Sequence, residues 1–352
     1  MGKHRADSYL SQVGQAPAEI TNGRICDALD SLGFSVLERF DRIVVPHPAY
    51  IATVWVSYEK PLMLVVDCTE RIPIDFGHSA DLARFLNSWN HDRVGPTASL
   101  CLNDAGDINV RLRAGVCIRH GLTDEQLLEE LCDAFEHMSA FSTQLRIRFL
   151  PVEFDVPLAP TLLRAQDMEA LLGRHPSSRH LPRDGEHEVS FVPEMYAGHT
   201  PCADERETYT QTVGMAQLED VFEVLDFTYA LTPEDVLVTG VNGVAFAVCI
   251  DDVDYARITG MWDAGEKADF LALWLMCNSI NEKSEGVCAY IQESATSLHV
   301  HVETTSLITQ GLSVNQLNNF VVTSLVSILS SIDAVSAQCN GSSAVRWPGS
   351  DA

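Results

Sequence analysis

The sequence predicts an α+β protein made of two diverged copies of one small domain, each an antiparallel sheet covered by helices. Three observations predict it. The 352 residues exceed what one hydrophobic core usually organises, and a prior of roughly 150 residues per domain points to two. Helix-period and strand-period segments follow one another in the order α-β-β-β-α-β-β-α, and after a proline-rich interval the order recurs. Short stretches of matching letters also stand at nearly one offset in the two halves.

Residues 1–17 are polar and small and read as an N-terminal tail, and residues 18–150 form the first domain. Its first helix, over 18–33, has apolar residues at 25, 28, 29 and 32, and Gly33 supplies a C-terminal stop. Segments 35–45, with a turn near Asp41, then 50–58 and 62–68, are rich in Val and Ile and punctuated by prolines, the pattern of an antiparallel meander. A second helix follows over 79–90, with Leu82, Phe85, Leu86 and Trp89 on one stripe. Segments 97–102 and 108–118 flank Asn103, Asp104 and Gly106, which tolerate left-handed backbone, and so predict a hairpin. Thr123 then caps a long helix to about residue 145.

Residues 151–213 carry seven prolines among Ser, Arg, Asp and Glu and are expected to be a mostly flexible linker, with a short helix over 161–172. The second domain, 214–335, repeats the order: a helix at 214–225, β segments at 235–240, 244–250 and 255–261, a helix at 266–281, a hairpin from 287–292 and 298–304, and a last helix opened by Ser313. Residues 336–352 are expected to be a C-terminal tail.

The repeated letters are Asn87-Ser88-Trp89-Asn90 against Asn278-Ser279-Ile280-Asn281, 191 residues downstream, and Gly121-Leu122-Thr123 with Gln126-Leu127 against Gly311-Leu312-Ser313 with Gln316-Leu317, 190 residues downstream. Their expected roles are structural. Gly121 and Gly311 release the chain from a strand, and Thr123 and Ser313 cap a helix. Asn87, Asn90, Asn278 and Asn281 satisfy free carbonyls at a helix end or turn the chain there.

At these residues the chain resembles the YbjN-type family of bacterial proteins, described as sensory transduction regulators and similar in fold to type III secretion chaperones. The likeness runs over residues 19–145, through Phe85-Leu86-Asn87-Ser88-Trp89-Asn90-His91-Asp92-Arg93, a hairpin, and Gly121-Leu122-Thr123-Asp124-Glu125-Gln126-Leu127. The second half departs from it, with Ile280 in place of Trp89 and Lys283-Ser284 in place of an Asp-Arg pair. The resemblance implies a regulator or adaptor without known chemistry, and its fold likeness implies binding of extended protein segments on a helix or sheet surface.

Charge narrows the class of partner. With 23 Lys and Arg against 49 Asp and Glu, the formal net charge of −26 repels phosphate, and no cationic run offers a nucleic-acid or membrane footprint. A basic protein or a metal cation suits this field better. No uninterrupted run of about 18 apolar residues predicts a membrane span, and the N-terminus lacks the plan of a secretory signal. The ten cysteines form no C-x-x-C pair and sit mostly in apolar runs, which fits a reducing cytoplasm.

Individual residues carry two readings each. Trp89 is a partner anchor, since tryptophan is enriched at binding hot spots, or a core residue; its stripe favours the core. His299, His301 and Glu303 alternate along one strand face and would suit a metal, but the first half has Asn109, Arg111 and Arg113 there, which favours a solvated face. Asp251, Asp252 and Asp254 read as a solvated turn, because no calcium-loop pattern follows. Glu125, Glu129, Glu130, Asp133 and Glu136 read as the solvent face of the long helix.

Nucleophile elbows, phosphate loops and dinucleotide fingerprints are absent from the sequence, and neither a catalytic residue nor a cofactor is predicted. The expected protein is therefore a non-enzymatic adaptor, chaperone-like or regulatory, that binds another protein, with the two halves pairing within the chain or two chains pairing as a homodimer. The rival is a metal- or metabolite-dependent sensor, or an enzyme with a site assembled only in space.

Overall fold

The computed structural model describes residues 16–58, 61–150, 208–251 and 255–348. The expected helix at 161–172, most of the linker, Asp252 and Asp254 lie outside the described residues. The first half runs α1 (Asn22–Ser31), β1 (Leu37–Arg39), β2 (Arg42–Pro46), β3 (Tyr50–Ser57), β4 (Met63–Glu70), α2 (Ser79–Asp92), β5 (Thr97–Leu102), β6 (Ile108–Cys117) and α3 (Asp124–Phe149). The second runs α4 (Met215–Val224), β7 (Tyr229–Leu231), β8 (Leu237–Val241), β9 (Val244–Asp251), β10 (Tyr255–Asp263), α5 (Phe270–Lys283), β11 (Cys288–Glu293), β12 (Leu298–Leu307) and α6 (Val314–Asn340).

Each half is thus an antiparallel six-stranded sheet with three helices, and the strand orders correspond: β1-β2-β3-β4-β6-β5 and β7-β8-β9-β10-β12-β11. Each sheet opens with a short antiparallel hairpin, β1-β2 within the expected segment 35–45 and its turn, and β7-β8 where only a segment at 235–240 is expected. In the first half the turn falls at Phe40, whose φ is 53°. In the second, β7 is a three-residue edge strand with one half-buried and two exposed positions, too short to show a period of two.

α1 begins at Asn22, later than the expected 18, because the Thr21 side chain accepts from the Arg24 amide and fixes the N-cap there. That frees Ala18 to exchange two 3.0 Å backbone hydrogen bonds with Leu122. The second half repeats the device between Gln211 and Leu312, so residues 208–213 belong to the folded body rather than to a linker. Both bridges explain the paired glycines. Gly121 and Gly311 have φ of +73° and +68°, and a Cβ on either would stand 2.3 or 2.4 Å from the carbonyl oxygen of Ala18 or Gln211.

The expected tail is folded over its described residues, 336–348. α6 continues to Asn340, Gly341 ends it in left-handed backbone, Val345 is buried in the core, and the Arg346 amide donates to the Asn242 carbonyl at 2.8 Å. α6 is the one helix among the described residues long and apolar enough to cross a membrane, with a mean hydropathy of 1.8. Here it is the core helix of the second half, burying Phe320, Val321, Leu325, Ile328 and Ile332 against its own sheet. α3 does the same in the first half with Leu131, Phe135, Met138, Phe141 and Leu145. It is further tied down by the buried Arg146, which donates to Glu70 at 3.0 Å and to the Ala49 carbonyl at 2.7 Å.

Replacing Gly121 or Gly311 by alanine combines a left-handed backbone with a steric overlap. Urea denaturation should show each variant destabilised by about 1–3 kcal/mol or more. An unchanged midpoint would contradict the close approach described here.

Candidate functional site

The repeated polar letters meet between the two halves. Asn87, on α2, donates from Nδ2 to the Ile291 carbonyl at 2.9 Å and accepts from the Ile291 amide at 2.8 Å, so it closes the edge strand β11 of the other half. Asn278, on α5, does the same to Leu100 on β5, with both distances 2.9 Å. The second asparagine of each motif turns inward: Asn90 pairs with Ala98 and Asn281 with Ala289 through the same two-bond geometry. The asparagines therefore satisfy strand backbone rather than helix-end carbonyls. Unpaired sheet edges invite association, and here Asn87 and Asn278 each stopper the inner edge of the opposite sheet.

Gln126 and Gln316 lie on the pseudo-twofold axis that these contacts define. Each side-chain oxygen completes a capping box, accepting from the Thr123 or Ser313 amide at 2.9 and 2.8 Å. Each Nε2 crosses to the other half, from Gln126 to the Gly311 carbonyl at 2.7 Å and from Gln316 to the Gly121 carbonyl at 2.9 Å. Gln316 Nε2 also reaches Gln126 Oε1 at 3.0 Å. All four groups are buried, where an unpaired amide costs about 1–3 kcal/mol.

Around this axis the halves enclose a cavity of about 340 Å³. One wall is α3, with Glu129, Glu130 and Asp133; another is α6, with Thr323, Ser327 and Ser331. The acidic residues expected on a solvent face are thus divided: Glu125 and Glu136 are exposed, while Glu129, Glu130 and Asp133 face the cavity. Burial, reinforced by Asp133 and Glu129, raises the Glu130 carboxyl to about 8. Asp133 stands 3.3 Å from His137 Nδ1, and its hydrogen bond raises the imidazole above its ordinary range.

The ionic groups on this side of the sheets differ between the halves. Asp67 on β4 pairs with Arg111 and, at 2.8 Å, with Arg113 on β6. At the corresponding rung of the second sheet, Thr259 on β10 stands opposite Glu303 on β12, and Arg257, two residues away on β10, pairs with Asp251 at 3.2 Å. Arg113 also donates to the Glu282 and Ser284 carbonyls at 3.1 and 3.2 Å, where the end of α5 concentrates negative potential.

Glu303 and His301 do not lie on a solvated face. Glu303 is 3 % exposed and accepts from the Tyr290 hydroxyl at 3.1 Å; burial lifts its carboxyl to about 7. The His301 ring stacks on Tyr290 at 5.4 Å and burial lowers it to about 4, while His91 of α2 meets the other edge of Tyr290 at 5.2 Å. His299 contacts Ser297 at 3.0 Å. Among the described residues, no three His, Cys, Asp or Glu side chains are grouped to hold a metal ion. Trp89 is 5 % exposed and packs edge-on against Phe141 at 4.9 Å, which places it in the first core.

The site belongs to an α+β protein whose two similar halves are joined face to face by amide clamps. Residues 22–145 match the model of the YbjN family, described as "Putative bacterial sensory transduction regulator". Among solved structures the chain is similar to one titled "Crystal structure of YbjN, a putative transcription regulator from E. coli", at 18 % identity and a TM-score of 0.34, over 38 % of this chain and 97 % of that one. No curated protein matches.

Two measurements check this geometry. In a double-mutant cycle of Gln126→Leu and Gln316→Leu on the full chain, denaturation should yield a coupling of about 0.5–3 kcal/mol, since the two amides share one network. The pH dependence of Glu303 has a fixed sign. Its folded pKa lies above its unfolded one, so its stabilising contribution is full below about pH 4.3, declines as pH rises, and is lost above about 7. The stability of the native chain relative to Glu303→Gln should therefore fall between pH 5 and pH 8.

Proposed function

We propose that the protein is a non-enzymatic regulator that acts as an adaptor, holding another protein on the open face of its second sheet. On this reading residues 214–335 are a diverged second copy of the first domain. The observation that carries the proposal is an asymmetry between two matched sheet faces. In the second half the register sets Val238, Ala247, Thr259 and Glu303 in one row, and Gly240, Ala245, Met261, His301 and Tyr290 in the next.

The inner ends of these rows, at Glu303 and Tyr290, are buried beneath α2 of the first half. The outer ends are open: Val238 is 37 % and Met261 41 % exposed, with Ala245 also exposed between them. At the matching positions of the first sheet, Val44 and Thr69 are half-buried and Ile51 is buried. A flat, small-residue floor ending at a helical wall suits an extended or helical segment that supplies the larger apolar side chains. The net charge of −26 favours a partner with basic residues flanking those side chains.

The experiment is affinity capture of the full-length tagged chain from its native cytosol, with quantitative mass spectrometry, beside a Val238→Asp, Met261→Asp variant. A partner retained in stoichiometric amount by the native chain should fall at least about tenfold with the variant, as expected for charges placed in an apolar contact. A partner held equally by both would move the docking surface elsewhere.

A further inference from the structure

We infer that the cavity on the pseudo-twofold axis is the binding site of a small organic cation, a molecule carrying one or more ammonium groups. The inference is independent of the docking face proposed above. Its first support is shape. The cavity's 340 Å³ lies at the lower end of small-ligand pockets, roughly 300–1,000 Å³, and is far larger than a metal ion needs. Its walls come from both halves, as ligand sites between domains commonly do.

The second support is charge. Glu129, Glu130 and Asp133 present carboxyl groups from one face of α3, and Glu303 lines the wall contributed by β12. The buried cation in that lining, Arg113, is already engaged by Asp67 and by the carbonyls of Glu282 and Ser284. The other, Lys283, is exposed at the rim. An anion would therefore meet carboxylates without a free counter-charge, whereas an ammonium group relieves the repulsion among them.

The third support is the set of buried polar groups left without a protein partner. Thr304 lines the cavity and is 7 % exposed, and its Oγ1 has no hydrogen-bond partner; Glu129 Oε2 is sealed from solvent in the same condition. Such groups are rare because they cost about 1–3 kcal/mol each, and a bound donor removes that cost. The backbone adds more. β5 pairs with β6 only up to Arg113 and β11 with β12 only up to Glu303, so residues 114–117 and 304–307 run on past their neighbours, and both stretches line the cavity. On that side their outward backbone groups have no strand partner.

These features select an organic cation over a metal. The carboxylates are strung along a helix face rather than gathered at one point, and no metal-holding group occurs among the described residues. Charged ends meeting acids, with a body lying against the hydroxyls of Thr323, Ser327 and Ser331, fit an elongated polar amine.

The test is isothermal titration calorimetry of the full-length chain with putrescine and spermidine at physiological ionic strength, excess magnesium being present to occupy diffuse surface charge. We expect saturable one-to-one binding of at least one amine. Glu130→Gln, which keeps the shape and removes one acid, should weaken it roughly tenfold or more. Thr323→Trp should abolish it by filling the cavity, and Glu136→Gln, on the exposed side of the same helix, should leave it unchanged. The inference is overturned if neither amine saturates, if Glu130→Gln and Glu136→Gln weaken binding equally, or if the Glu130→Gln chain, folded by its denaturation profile, binds as tightly as the native one.

Discussion

Two buried glutamine amides facing each other across an axis govern this architecture. Each caps the long helix of its own half and, with the other end of the same amide, binds a carbonyl of the opposite half. Helix start and domain pairing are therefore one structural event. If the halves part, each amide keeps its capping bond and loses its partner across the axis, leaving a donor to be resolvated. The asparagine clamps extend the same logic outward, because an amide carries a donor and an acceptor in the spacing that a strand edge requires. Hydrophobic burial within each half supplies most of the stability, and these amides decide which arrangement of the halves is satisfied.

Much of the fold was legible. Apolar spacing marks α2, α3 and α6, and capping residues mark where α3 and α6 start. The short edge strand β7 and the folded segments at 208–213 and 341–347 were not, because a few residues held by bridges and a single buried valine leave no periodic trace. α1 shows how a local cap overrides a longer amphipathic stretch: Thr21 sets the start, although apolar spacing alone allowed the helix to begin earlier.

The candidate site was legible only in its letters. The duplicated Asn and Gln residues stood out in the sequence, yet their roles depend on what lies opposite, which a linear pattern does not carry. An available signal went unused: polar residues repeated at matched positions beside apolar stripes imply buried partners, since burying an amide alone is costly. The acidic face of α3 failed for a related reason. Periodicity separates a polar face from an apolar one, but it cannot tell solvent from a polar cavity. Trp89 followed its stripe into the core, and His301 with Glu303 went under α2 because the tertiary arrangement covers that part of the strand.

Two halves carried on one chain need not be identical where they meet. In a symmetric pair of separate chains, every substitution near the axis arises twice and must tolerate its own image. Here Arg113 corresponds to Glu303 and its partner Asp67 to Thr259, so a guanidinium in one half stands where the other has a carboxylate. Likewise Glu129, Glu130 and Asp133 stand where the second half has Asn319, Phe320 and Thr323. A self-paired copy of either half would set like against like across the axis. Joined in one chain, the halves present different surfaces to each other, and the enclosed space has a direction, acidic on one side and hydroxylic on the other.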